Sequence, residues 1–291
     1  MSETSFNTFK TQIRSGVEEY LSFLFASQPD TEVNQVAKYA VLGGGHRWRA
    51  MVAVASGLIF DKQAYEKVLP GACGVELAHA ASLIIDDLPS MDNAQIRRGK
   101  PCPHLVFSPW AVDLTPVYLV TLAYKISLSD LKGSNGQRVK AALALSEAGL
   151  AMIQGQTMDI LQSTDVDPIQ QVMKCYYQKS GVLYAMAAKA GAITCGASPK
   201  EGELLYECGL NLGLSYQLLD DIADATAEVQ EVGKNTKMDM NKKTAITLFG
   251  IEEVKAKAEQ YKQASLSAIT HFGPEADLLR TLVKQASWAP S

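Results

Sequence analysis

Residues 76–92 read ELAHAASLIIDDLPSMD, and the way the apolar side chains recur along this stretch decides the fold class. From Val75 to Ile85 they return every three or four residues, as on the buried face of a helix. The same spacing runs through Val139 to Ile160 and Leu204 to Ile222, whereas the alternation that a strand requires is nearly missing. The pattern predicts an all-α chain. Gly, Pro, Asn and Ser gather at 43–45, 101–109, 133–136, 196–199 and 272–274, and these clusters predict the helix breaks. None is long enough to act as an interdomain linker, so residues 1–291 are expected to form a single domain.

Composition narrows the function. With 291 residues and 47% hydrophobic content the chain can bury a core without a disulfide or metal staple. A net charge of −4 and a pI near 5.7 argue against a nucleic-acid partner, which would need a basic face. The five cysteines are odd in number, scattered and without CxxC pairing, so a reducing, cytoplasmic setting is expected. The start lacks the layout of a signal peptide, and no uninterrupted run of about 18 apolar residues suggests an integral membrane segment.

Two acidic clusters carry the chemistry. DDLPSMD, Asp86 to Asp92, closes one apolar stretch, and DDIAD, Asp220 to Asp224, closes another. Asp220 and Asp224 are four apart, so a helix projects both from one face, with Gln217 one turn earlier. Like charges at the end of an apolar helix are costly unless a cation neutralises them. Magnesium suits such a place, because it takes one or two carboxylates together with substrate phosphates. Two clusters face to face would clamp a diphosphate through bridging ions and draw off charge as it leaves. One cluster alone reads equally well as a solvated helix end; the basic motifs beside the pair favour a site.

Gly43 to Arg49, GGGHRWR, sets backbone amides beside His46, Arg47 and Arg49, a seat for a diphosphate held without metal. Arg97 to His104, RRGKPCPH, forms a second basic loop. Lys179 in KSG, Lys234 in GK, and Lys242 and Lys243 add isolated cations, each of which taken singly reads as a surface lysine. His79 stands seven residues before Asp86 and shares its face.

Taken in order, these motifs resemble the trans-polyprenyl diphosphate synthases, especially geranylgeranyl and farnesyl diphosphate synthases, across nearly the whole chain. DDLPSMD and YQLLDDIAD resemble the family's two aspartate motifs, MDNAQIRRGKPCPH its arginine loop, and KSG, GQTMD and GK its other signatures. The resemblance implies an isoprenoid-synthase helical bundle around a deep central cavity, commonly a homodimer, joining isopentenyl diphosphate to an allylic diphosphate. It implies that Asp86, Asp87, Asp92, Asp220 and Asp224 ligate or support about three magnesium ions. Arg97, Lys179, Lys234 and Lys243 would grip the allylic diphosphate. His46, Arg49, His79 and Arg98 would hold isopentenyl diphosphate, while Gln217 and Asp159 line the reacting centre. Product length in the family is set just before the first aspartates, where Ala81 and Ser82 are small and Ala78 lies a turn deeper. That implies a product longer than farnesyl, with geranylgeranyl diphosphate first; Tyr118 or Met152 could instead form the floor.

Four positions depart from the family pattern. His46 stands in place of a lysine; Ala94 and Gln95 replace acidic residues; Pro116 and Val117 replace Gly-Asp, predicting a kinked or newly started helix; and the stretch from Asp239 to Lys243 is short. His46 and Pro116 keep open a terpene cyclase-like enzyme that ionises an allylic diphosphate without isopentenyl diphosphate. A silent partner subunit is the third reading, against which the intact aspartates speak.

Overall fold

Helix caps are written locally in this chain. Thr31 accepts the backbone N–H of Asn34 ahead of α2 (Glu32–Val41), and Asp167 accepts those of Ile169 and Gln170 ahead of Pro168, the first residue of α7 (Pro168–Tyr176). The computed structural model describes residues 3–161, 167–226 and 244–286. The remaining helices there are α1 (Glu3–Ala26), α3 (Trp48–Leu58), α4 (Ala64–Asp86), α5 (Pro109–Ser129), α6 (Asn135–Leu161), α8 (Val182–Thr194), α9 (Pro199–Thr226), α10 (Ala245–Phe249), α11 (Ile251–Ala268) and α12 (Asp277–Gln285). The only strands among the described residues are two residues each, β1 (Ile96–Arg97) and β2 (Lys100–Pro101), paired antiparallel.

The helices are layered around α4, which is apolar on nearly every side and so belongs in the interior. It packs against α3 and α5; α3 in turn meets α8, α8 lies on α9, and α9 is covered by α11. One large core joins α1, α3, α4, α5, α8 and α12, with Phe6, Ile13, Leu21, Leu77, Leu119 and Leu183 at its centre. All five predicted breaks fall between helices or at their first residues.

Two expectations are corrected. Pro116 neither starts nor ends a helix: α5 begins seven residues earlier and runs through it, with the Thr115 hydroxyl donating to the Ala111 carbonyl at 2.7 Å. Packing on α2 and α4 outweighs the hydrogen bond that proline removes. Second, α4 and α5 are each long and apolar enough to cross a bilayer by composition, but about half or more of each apolar window is buried by neighbouring helices.

Candidate active site

The first acidic cluster is shaped by the end of α4. Past Asp87 the chain doubles back: Asp92 N–H donates to the Asp86 carbonyl at 2.9 Å and Asn93 N–H to that of Leu88 at 3.0 Å, with Asn93 left-handed at φ 49°. The turn carries Asp92 back towards Asp86. Burial, with Asp92 adding to it, holds the Asp86 carboxyl above the usual range even though Lys179 opposes the shift. The negative end of the helix macrodipole points the same way. A divalent cation would relieve all three costs at once.

Asp87 is turned elsewhere. Only 2% exposed, it accepts Arg97 Nη2 at 2.6 Å and Nε at 3.2 Å. The sequence reading counted Asp87 among the metal ligands and Arg97 among the diphosphate grips, but the two hold one another and anchor the β1–β2 hairpin. Helical rotation is the reason: adjacent residues differ by about 100° around the axis, so only one of a DD pair can face a given neighbour.

The second cluster meets the first across a π turn, Tyr177–Gly181, between α7 and α8. Gly155 makes it possible: a Cβ there would lie 2.7 Å from the Lys179 nitrogen, so α6 backs directly onto the turn. Lys179 Nζ is then 3.0 Å from Asp159 and 3.6 Å from Asp86. Burial pulls its pKa down, but Asp86 and Asp159 outweigh that and leave it raised. The next residue, Ser180, donates to Gln217 Oε1 at 2.5 Å, and Gln217 Nε2 donates to Asp221 at 3.1 Å. Tyr176 donates to Asp221 and accepts the Ala245 N–H at 3.2 Å. Consecutive residues of one turn thus tie the end of α4 to the last two turns of α9, which carry Asp220 and Asp224. Asp221 and Tyr176 were missed in the sequence; the adjacency in DD was the available signal. Lys234, Lys242 and Lys243 lie outside the described residues.

Among the described residues no three His, Cys, Asp or Glu side chains close into a metal cage. Carboxylates presented singly or in pairs fit magnesium, which completes its shell with water and phosphate oxygens. Asp86 and Asp92 from one side and Asp220 and Asp224 from the other are the residues that would hold it.

The basic half lies on the other flank of α4. Arg47, left-handed at φ 56° and 3% exposed, donates to Glu18 at 3.0 Å, to Glu76 at 3.5 Å and to the Val41 carbonyl at 2.6 Å. Glu76 also accepts the Ala50 N–H at 3.1 Å. Of the two arginines in GGGHRWR, Arg47 therefore fixes the loop and only Arg49 is left to meet a ligand. The Arg49 guanidinium lies 4.5 Å over the Tyr184 ring, with its Nε buried and unpartnered.

Arg98 and Gly99 turn the hairpin with positive φ at both, 54° and 71°, as a tight two-residue connection requires. Arg98 folds over Gly45, where a Cβ would sit 3.1 Å from its guanidinium, and Gly45 itself has φ 123°. The positive φ demands glycine at 45, and the missing Cβ lets the Arg98 side chain lie close. Burial and then Arg47 press the Arg98 pKa down to about 10. His79 is pushed well below the ordinary imidazole value by burial and then by Arg49, Arg98, Arg97 and Arg47. His46 is lowered by burial, Arg14, Lys10 and Arg98. So dense a set of cations calls for an anion.

The predicted length-setting residues divide. Ala78, Ser82 and Asp86 follow at four-residue spacing and are half-buried, a partly open stripe leading to the acidic cluster, whereas Ala81 is 2% exposed and packed into the core. Tyr118 and Met152 are half-buried against that core.

Comparison with known proteins adds a lineage. The polyprenyl synthetase family model matches residues 30–281. The mitochondrial geranylgeranyl pyrophosphate synthase 6 of Arabidopsis thaliana is 32% identical over 84% of this chain and 76% of its own length. Among solved structures, an FPP/GFPP synthase from Zymomonas mobilis superposes with a TM-score of 0.83 at 28% identity, covering 98% of this chain and all of that one. A geranyltransferase from Helicobacter pylori, complexed with magnesium and isoprenyl diphosphate, gives 0.83 at 26% identity over 95% and 96% of the two chains.

Proposed function

Because the chain belongs to the polyprenyl synthetase family, we propose that it condenses isopentenyl diphosphate with an allylic diphosphate to give a short-chain all-trans prenyl diphosphate, the twenty-carbon geranylgeranyl product first. The observation that carries this reading is the pairing of two unlike diphosphate seats across α4. One is acidic, with Lys179 between Asp86 and Asp159; the other is a set of arginines and histidines that needs no metal.

Magnesium, about three ions as in the resemblance above, would draw electron density off the departing diphosphate. Lys179 adds a fixed positive charge on the same leaving group, positioned by Asp159. Ser180 and Asp221 orient Gln217 at the reacting centre. The buried helices around α4 keep water from the allylic cation, and Arg49, His79 and Arg98 hold the isopentenyl diphosphate whose double bond attacks it. The new carbon–carbon bond is followed by loss of a proton to the released pyrophosphate. The small residues Ala78 and Ser82 below Asp86 support the longer product.

An apolar stripe on α5 and α6, including Trp110, Leu114, Val117, Leu143, Leu150 and Ile153, is exposed and supports assembly with a second copy. Five free thiols support a cytoplasmic setting. The cyclase-like alternative leaves the second, basic seat without a role.

The test is to incubate purified protein and magnesium with isopentenyl diphosphate plus dimethylallyl, geranyl or farnesyl diphosphate in turn, and to weigh the products by mass spectrometry. A common geranylgeranyl diphosphate product is expected. Hydrocarbons or alcohols formed without isopentenyl diphosphate would establish the cyclase-like reading instead.

A further inference from the structure

The glycine-rich loop is walled on its outer side by α1, and the contact fixes how α1 is turned. Arg47 Nε donates to Glu18 at 3.0 Å, while Ile13 and Val17 are fully buried. Lys10, Arg14 and Glu18 follow at four-residue spacing on one face. With Glu18 held at Arg47, Arg14 and Lys10 stand about one and two turns back along that face, about 6 Å for each four-residue step. Residue 46 is the immediate neighbour of Arg47. The charges of Arg14 and Lys10 reach its imidazole, Arg14 the more strongly, and Arg98 comes in from the hairpin.

Arg14 is exposed and has no hydrogen bond or ion pair among the described residues, and Lys10 lies 5.5 Å over the Phe6 ring. No described residue pairs with the Arg14 guanidinium. Of the loop's own cationic positions, Arg47 is engaged by two carboxylates and position 46 is histidine, which leaves Arg49 as the strong cation the loop offers a ligand. Since α1 ends at Ala26, it lies wholly outside residues 30–281, so the family match carries no information about it.

We propose that Arg14, with Lys10 behind it, supplies a second strong cation beside Arg49 where the loop itself has only His46, making α1 a wall of the isopentenyl diphosphate seat together with His46, Arg49 and Arg98. This rests on the condensation reading above and adds to it a binding residue from an element outside the family match. A guanidinium suits the task because its fork of donors meets phosphate oxygens bidentately.

Arg14→Gln should raise the KM for isopentenyl diphosphate about tenfold, the scale of one charge-assisted hydrogen bond. The KM for the allylic diphosphate should stay within about twofold. Arg14→Lys should recover only part of the loss, because an ammonium keeps the charge without the bidentate fork, and His46→Lys in the Arg14→Gln background should restore affinity by putting a cation on the other side of the same phosphate. Titration calorimetry with isopentenyl diphosphate in EDTA reads the seat without turnover, and a melting curve confirms that each variant is folded. An Arg14→Gln protein that binds isopentenyl diphosphate as tightly as the parent overturns the proposal. Failure of the parent to condense any allylic partner, with isopentenyl diphosphate still bound in EDTA through Arg14, would overturn the condensation reading and leave the seat standing.

Discussion

The two halves of the site have opposite charge balance. On the α4–α9 side Asp86 and Asp159 pair with Lys179, Asp92 adds its charge, and α9 carries Asp220 and Asp224; the helix ends that carry four of these five add their own negative potential. On the loop–hairpin side Arg49, Arg98, His46 and His79 crowd together, and the nearby carboxylates Glu18, Glu76 and Asp87 are already engaged by Arg47 and Arg97. The first half needs a mobile cation before an anion can enter; the second needs only the anion. The difference teaches that a carboxylate or arginine contributes to such a seat only if the fold has not already paired it.

The largest expected effect separates the halves directly. Asp86→Asn or Asp220→Ala should lower turnover by roughly a thousandfold, the scale of removing one pre-organised electrostatic contact. EDTA should abolish turnover altogether while calorimetry still registers isopentenyl diphosphate. If EDTA removes that binding too, the halves are not chemically distinct.

Next comes Arg47→Ala, which leaves Glu76 buried without its cation and should cost about 3–5 kcal/mol in urea unfolding. A loss under about 1 kcal/mol would mean that Arg47 is not the anchor of the loop.

The smallest effect is on pH. Burial and neighbouring arginines lower the folded-state pKa of His79 and His46 below the value of about 6.5 expected in the unfolded chain. A depressed pKa means that the unfolded state takes up protons first. Their contribution to stability is complete above about pH 6.5 and is lost as pH falls through the folded values. The urea midpoint should drop between pH 7.5 and 5.5, and His79→Asn should flatten that drop.

Much of this molecule is written in short-range pattern. Val75 to Ile85, Val139 to Ile160 and Leu204 to Ile222 all lie inside the helices their spacing predicts, and the Gly and Pro clusters mark the breaks. Both aspartate motifs, KSG and the basic loops are legible for the same reason: their chemistry depends on neighbours a few residues apart. Pro116 shows the limit. Local propensity argues for a helix start or kink, but burial of α5 on both flanks decides for a continuous helix. The π turn is likewise absent from the periodicity, since the close approach of α6 to it depends on a distant residue, Gly155.

From its sequence alone the chain is determined to be helical, to end two of its apolar helices in aspartates, and to carry separate acidic and basic motifs, because all of these follow from spacing along the backbone. Only the tertiary structure decides which member of each like pair faces the site. It turns Asp87 to Arg97, Asp221 to Tyr176 and Arg47 to Glu18 and Glu76, and through Glu18 it ties α1 to the glycine-rich loop. Those choices depend on which distant helix buries which face, and neither spacing nor composition along one strand of sequence encodes that.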